Sequence, residues 1–288
     1  MIYKASMNSP KALLIALALT ACGGGAAQTH TETAGPAATH EEAPPPAETH
    51  QEAAAPAAPP PRVRVVDACN DEAAATISAS IDSDDPFVAS LAYGTASAYV
   101  AVAEGRHSIT IHGPEAGGNA TLGLASDVLE ADQAYTVFFV TQGAADAPFA
   151  LYTGDDDFHA EEDGASLRFF HAIQGVDDVD VCQPGSGRGA GTPLFADVAR
   201  NALGSAGGVR YADVATGEVS IQLRAHSSTV CSGRPIGTGH FTAAAGMTYT
   251  AIAIGRPSGR PRAAAQLMIC RDAPAGDGGC ETVALGTR

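Results

Sequence analysis

The 288-residue chain contains no tryptophan, and its formal net charge is -16 with a pI near 4.8. It has no Arg/Lys cluster to offset that balance locally, so binding to nucleic-acid phosphate or to anionic lipid by charge alone is disfavoured. No apolar stretch repeats at helical spacing between strand-like runs, which argues against a helical body and against a parallel α/β sheet. There is no Gly-x-Ser-x-Gly elbow, no His-Glu-x-x-His pair and no Gly-Lys-Ser/Thr phosphate loop. The six cysteines form no Cys-x-x-Cys pair and no Cys/His array at zinc spacing. The acidic composition reads as a solubility feature, and the expectation is a noncatalytic protein with no cofactor and no metal.

What the chain does contain begins with an export signal. Lys4 and Lys11 precede the apolar run Ala12 to Leu19, which is shorter than the roughly 20 helical residues that span a bilayer. A basic start, a short apolar core and small residues make a signal peptide over 1–21. The run ends Leu19-Thr20-Ala21-Cys22-Gly23, which resembles a bacterial lipobox. That resemblance implies cleavage before Cys22 and attachment of diacylglycerol to its sulfur. Each buried CH₂ contributes about 0.8 kcal/mol, so two or three acyl chains hold a protein where one would not. Gly23, rather than aspartate, follows the cysteine, which by the family rule points to the outer membrane or cell surface. The expected partner at this end is the membrane, through the lipid anchor.

Residues 22–61 are rich in Ala, Pro, Thr and Glu with almost nothing large and apolar. Such a segment cannot bury enough surface to offset its chain entropy and reads as a disordered tether. Thr29-His30, Thr39-His40 and Thr49-His50 recur at ten-residue spacing, the mark of a duplicated tether more than of a metal site.

From Arg62 the chain reads as short strands separated by turns. Tyr99-x-x-Val102-x-x-Gly105-x-x-x-Ile109-x-Ile111 returns as Tyr211-x-x-Val214-x-x-Gly217-x-x-x-Ile221-x-Leu223. Each copy has the pattern of a β-hairpin with one face on a core. Val63-Arg64-Val65-Val66-Asp67-Ala68 is echoed by Leu167-Arg168-Phe169-Phe170-His171-Ala172, and Ala134-Tyr135-Thr136 by Thr248-Tyr249-Thr250. Three matches in one order define a tandem duplication, with a glycine-rich insertion at Pro184 to Gly191 read as a flexible loop. The organisation predicted is a first β-sandwich over 62–153, an acidic linker over 154–166 and a second sandwich over 167–288, each with its own core.

These segments resemble the bacterial domain-of-unknown-function family 4397. Leu-Arg-Phe-Phe-His-Ala, Val179-Asp180-Val181-Cys182, the Tyr-x-x-Val-x-x-Gly segment and Ala245-Gly246-Met247-Thr248-Tyr249-Thr250 carry the resemblance, which extends over most of 62–270. The first copy departs from it with Asp67 in place of the histidine and Thr76-Ile77-Ser78 in place of Val-Asp-Val. The resemblance implies an all-β fold of two tandem immunoglobulin-like antiparallel β-sandwiches on extracytoplasmic proteins, with no catalytic residues. The bottom-up pattern of short strands and turns points the same way.

In an exported protein, cysteines outside the lipobox are disulfide candidates. Cys182, Cys231, Cys270 and Cys280 allow three pairings. The preferred one is 182–231, tying strand ends across the second sandwich, with 270–280 closing a loop. Cys69 is left as a buried thiol or, second, an intermolecular bridge. For catalysis, His107 and His112 fall on opposite faces of an extended strand. His171 reads as a core-edge histidine, and nothing in the sequence brings His226 and His240 together. Asp84-Asp85 and Asp177-Asp178 stand in turns. The function expected is therefore a structural or adhesive envelope module that contacts a protein or a glycan. The alternative is a small-ligand or calcium-binding protein using the acidic loops Asp82 to Asp85 and Asp155 to Asp163.

Overall fold

The computed structural model describes residues 58–69, 76–115, 118–126, 128–142, 147–156, 162–185, 191–204, 210–257, 264–272 and 279–286. The segments expected to be signal peptide and tether, up to residue 57 and including Cys22, lie outside the described residues, as do 157–161 of the acidic segment and 186–190 of the glycine-rich loop. The described chain is all-β.

Four sheets are stacked as four layers. The first outer sheet joins β2 (Ile77–Ile81), β3 (Pro86–Leu91), β6 (Ser108–Glu115) and β7 (Gly118–Ala125) in the order β3-β2-β6-β7. The inner sheet beneath it runs β4-β1-β8-β9, from β4 (Thr95–Ala96), β1 (Arg62–Asp67), β8 (Ala134–Gln142) and β9 (Ala147–Asp156), with β5 (Val100–Ala101) also on β1. The second half repeats this plan. Its inner sheet is β13-β10-β17-β18-β19, from β10 (Ala165–His171), β13 (Ala202–Leu203), β17 (Met247–Ile254), β18 (Gln266–Arg271) and β19 (Cys280–Ala284), with β14 (Ala212–Val214) on β10. Its outer sheet is β12-β11-β15-β16, from β11 (Val179–Gln183), β12 (Thr192–Val198), β15 (Gly217–Ala225) and β16 (Pro235–Ala243). Each inner sheet includes one parallel pair, β1 with β8 and β10 with β17; the other pairs among these strands are antiparallel. Strands occupy both margins of the segment 154–166, because β9 runs to Asp156 and β10 starts at Ala165.

The layering explains the sequence pattern. Outer strands alternate, as in β15, where Val219, Ile221 and Leu223 are buried and the residues between them are partly exposed. Inner strands are buried on both faces and read as nearly continuous apolar runs, all seven residues of β10 being buried. Val63, Val65, Val137 and Phe139 face the first core, with Ile109 and Ile111 opposite. Leu167, Phe169, Ala251 and Ile269 face the second, with Val181, Ile221 and Leu223 opposite.

Two separate cores were expected, and the structure adds a third apolar layer between them. Val66, Ala68, Phe138 and Val140 of the first half pack on Phe170, Ala172, Ile252, Ile254, Met268 and Cys270 of the second. Phe138 and Phe170 stack with ring centroids 4.0 Å apart and planes 2° from parallel. The halves therefore bury a shared seam in place of standing as independent beads.

The repeated Tyr-x-x-Val-x-x-Gly segment is not a hairpin. β5 pairs with β1 in the inner sheet, whereas β6 pairs with β2 and β7 in the outer one. The second copy does the same, with β14 on β10 and β15 on β11 and β16. The segment is the corner where the chain changes sheets, turning at Gly105 (φ 123°) and Gly217 (φ 97°). A second correction concerns register. Ala79 pairs with Ile111 and Val181 with Leu223, so Val-Asp-Val corresponds to Ile77-Ser78-Ala79, one residue later than the sequence alignment placed it. A one-residue slip would turn every side chain to the other face.

Candidate functional site

Polar side chains with unusual environments gather in three places, each explained by the strands that carry it. The first is the seam. Arg64 and Arg168 hold the same position in their copies, both fully buried and both facing the other half. The Nε of Arg64 donates to Thr136 Oγ1 at 2.9 Å, and Nη2 of Arg168 donates to Thr250 Oγ1 at 2.9 Å. Thr136 and Thr250 are themselves equivalent. Each guanidinium lies over the tyrosine of the repeated corner, 4.7 Å from the Tyr99 centroid for Arg64 and 5.5 Å from Tyr211 for Arg168. Asp272 breaks the symmetry: its buried carboxylate accepts from Arg64 and from the Thr250 hydroxyl, with Arg168 Nη2 at 3.9 Å. Sequence reasoning missed Asp272, although Met268, Cys270 and Asp272 alternate onto one face of β18 and its continuation.

The second place is the end of β1 and of β10. Asp67 and His171 are equivalent, buried, and each accepts a backbone N–H two residues on, from Cys69 at 3.1 Å and from Ile173 at 3.3 Å. His171 accepts through Nδ1, so its Nε2–H donates to the Asp177 carbonyl at 2.9 Å. Burial pushes the Asp67 carboxyl up to about 7, against the pull of the Cys69 N–H. Burial also pushes the His171 imidazole down to about 4, against its bond to the Asp177 carbonyl. Tyr93, near Asp67 and Cys69, has its phenol raised by burial. Cys69 is a buried thiol outside the disulfides.

The third place is Asp180, between two core valines of β11 and therefore on the opposite face. Its carboxylate is fully buried and accepts from the N–H groups of Cys231 at 3.0 Å and Asp197 at 3.1 Å, with His226 Nδ1 at 2.8 Å. Burial opposes its ionisation, but His226 and these N–H groups outweigh that and lower its pKa. The bond to Asp180 raises that of His226, whose Nε2 lies 3.7 Å from Asp197. The first copy has Ser78 here and lacks the hub. The motif Val-Asp-Val, a lone carboxylate between core valines, was the signal.

The remaining candidates are separate. His107 contacts Asp82 at 2.6 Å, and the other Asp82 oxygen accepts the Ser108 N–H at 2.7 Å, so both oxygens of that acidic-loop residue are engaged within the fold. His112 bonds Thr121 and His240 bonds Ser220, each on an exposed strand face. His171 and His226 approach the same turn, at Asp177 and Asp178, yet each is held by its own partners. Asp84, Asp85, Asp177 and Asp178 are exposed. Among the described residues, no three His, Cys, Asp or Glu side chains gather at metal-binding geometry.

Cys182 is bonded to Cys231, and Cys270 to Cys280. The first bond joins β11 to the turn after β15 within one sheet; it does not cross the sandwich. The second joins directly paired residues of β18 and β19. Two disulfides, Cys182–Cys231 and Cys270–Cys280, are the chemistry of an oxidising compartment. No helix among the described residues is long and apolar enough to cross a membrane.

These features define a class: an all-β protein of duplicated sandwiches, stapled by disulfides, whose perturbed polar groups are turned into the fold. Residues 61–182 match the family model described as a domain of unknown function (DUF4397). The match begins at the start of β1, takes in the first sandwich and ends on β11 of the second. No curated protein matches the chain.

Proposed function

We propose that the chain is a noncatalytic lipoprotein of the cell envelope, anchored through Cys22 and displaying its two fused sandwiches to a partner outside the cytoplasm. One observation supports the noncatalytic part: the buried Asp67, His171, Asp180 and Asp272 side chains are each hydrogen-bonded within the fold. Asp67 and His171 hold turns, Asp180 holds a loop, and Asp272 with Arg64 and Arg168 joins the halves. Displaced pKa values mark active sites when they line a cleft beside a reacting position; Asp67, His171 and Asp180 take their hydrogen-bond partners from within the fold. The lipobox-like Leu19-Thr20-Ala21-Cys22 supports the anchor, and the disulfides fit an exported address.

The experiment is metabolic labelling with palmitate followed by fractionation. The wild-type chain is expected to take up label and sediment with the outer membrane. Cys22→Ala is expected to lose both properties while its ectodomain keeps the same melting curve. Label retained by that variant would overturn the anchor. Turnover of any substrate that is abolished by Asp180→Asn, with the fold intact, would overturn the noncatalytic reading.

A further inference from the structure

The second sandwich ends in a segment with no counterpart in the first. β18 corresponds to β9, and among the described residues β9 is the last strand of its sheet, whereas β18 carries β19 on its outer side. β19 pairs antiparallel with β18 from Gln266↔Ala284 to Cys270↔Cys280. Beyond it the chain crosses to the outer sheet. There the Thr238 and Gly286 N–H groups donate to each other's carbonyls at 3.0 and 2.9 Å.

The outer sheet is shaped to receive this segment. In the first copy Ile109 and Ile111 pair with Leu124 and Leu122. Their equivalents Ile221 and Leu223 pair with Gly239 and Gly237. Glycines stand where the first copy has leucines, and the end of the chain supplies the bulk. A Cβ on Gly237 would lie 2.7 Å from the Leu285 Cβ, and one on Gly239 would lie 2.7 Å from Leu267 Cδ1 and 3.6 Å from Leu285 Cδ2. Val283 and Leu285 pack against the second core.

The same segment grips the first half. Cys280 packs against the seam beside Tyr93 and Ala96, and the Thr282 hydroxyl donates to the Gly94 carbonyl at 3.2 Å. Residues 279–286 thus touch both sheets of the second sandwich and the turn before β4 of the first, with the bond to Cys270 pinning one end. A terminal strand held by edge pairing alone opens at low cost in free energy unless it is tied down.

We infer that residues 279–286 are a strap latched by the Cys270–Cys280 bond, which a dithiol opens ahead of Cys182–Cys231, lifting the strap from the first half and from an apolar groove at Gly237 and Gly239. Access sets the order, because a thiolate must reach a disulfide sulfur to attack it. Cys280 is half-buried, whereas Cys182 and Cys231 are 0% and 1% exposed. The dithiol's thiolate attacks the Cys280 sulfur, forming a mixed disulfide and releasing Cys270 as a thiolate that takes up a proton. Its second thiol then displaces Cys280, so the chain gains two thiols and the reductant leaves as a cyclic disulfide. The latch holds whether or not the chain is anchored or displayed.

The test treats the full chain, still folded, with rising dithiothreitol, alkylates the released thiols and reads each cysteine by mass spectrometry. Cys270 and Cys280 are expected to be labelled while Cys182 and Cys231 stay joined. In that species the Thr238, Gly286 and Gly94 N–H groups, all bonded in the intact chain, should exchange roughly tenfold faster, and reoxidation should restore them. Leu285→Ala and, separately, Gly237→Ala, which presses a methyl group on Leu285, should each unseat the strap. Either should speed reduction of Cys270–Cys280 roughly tenfold and leave that of Cys182–Cys231 unchanged. Joint reduction of the two bonds, or earlier reduction of Cys182–Cys231, overturns the order. Unchanged exchange at Thr238, Gly286 or Gly94 once Cys270–Cys280 is open overturns the latch, as does a reduction rate indifferent to both substitutions.

Discussion

Asp67 and His171 do the same local work with side chains of opposite charge type. Each ends the opening strand of its copy, is buried, and accepts a backbone N–H two residues on. Burial opposes the ionised form in both, so the aspartate titrates high and the histidine low, at about 7 and about 4. Both are neutral in the slightly acid range.

Asp67 should make the protein less stable as pH rises. Its folded pKa of about 7 stands above the ordinary 3.8, so the folded state binds the extra proton, and its contribution is lost between those two values. The interval converts to roughly 4 kcal/mol at about 1.4 kcal/mol per tenfold change. Asp67→Asn should therefore gain stability over the wild type at pH 8 and lose that advantage near pH 4. Urea unfolding at both pH values measures it; an equal difference at the two would show that Asp67 is ionised throughout.

His171 should act at the other end of the scale. Because its folded pKa lies near 4, below the ordinary 6.5, stability is fully present above pH 6.5 and is lost as pH falls through that window. The imidazole should report as neutral at pH 5.5 by carbon NMR shifts. A titration midpoint near 6.5 would contradict the buried, backbone-bonded geometry.

Phe170→Ala should open the seam without emptying either sandwich core. Large-to-small changes of this kind cost about 3–5 kcal/mol, and the cycle with Phe138→Ala should leave about 0.5–1.5 kcal/mol of coupling for the stacked pair. Near-additive single changes would mean that the rings do not depend on each other. Separate transitions for the two halves are also expected, visible in calorimetry as a broadened peak.

Asp272→Asn should weaken the same seam by removing the carboxylate shared by two buried arginines. Breaking a buried pair typically costs about 3–5 kcal/mol, because a charge is left in an interior built around its partner. A loss below about 1 kcal/mol would show that the cluster is solvated in solution.

Reduction of the disulfides should destabilise unequally. Sequence separations of 49 and 10 residues give roughly 4 and 3 kcal/mol in the chain-entropy account. Cys182→Ser with Cys231→Ser should therefore cost more than Cys270→Ser with Cys280→Ser. It should also loosen the connection between β15 and β16, seen as faster amide exchange at position 231 and at Asp197, whose N–H groups reach Asp180.

Much of this architecture was written locally. Alternation in Ile109-x-Ile111 and in Val219-x-Ile221-x-Leu223, the turns between them and the ordered repeats determined an all-β, duplicated chain, because side-chain period and turn chemistry act within a few residues. Candidate cysteine pairs followed from neighbouring strands. The partner of each strand did not. An arm such as Val100-Ala101 carries the same local signal whether it pairs with Ser108 onward or with β1, and only the closing of the two sheets decided for β1. The seam was likewise decided by tertiary structure. Phe138, Phe170 and Asp272 are far apart in sequence, and burying the second face of the inner strands lowers the free energy only once two complete sandwiches exist to supply it.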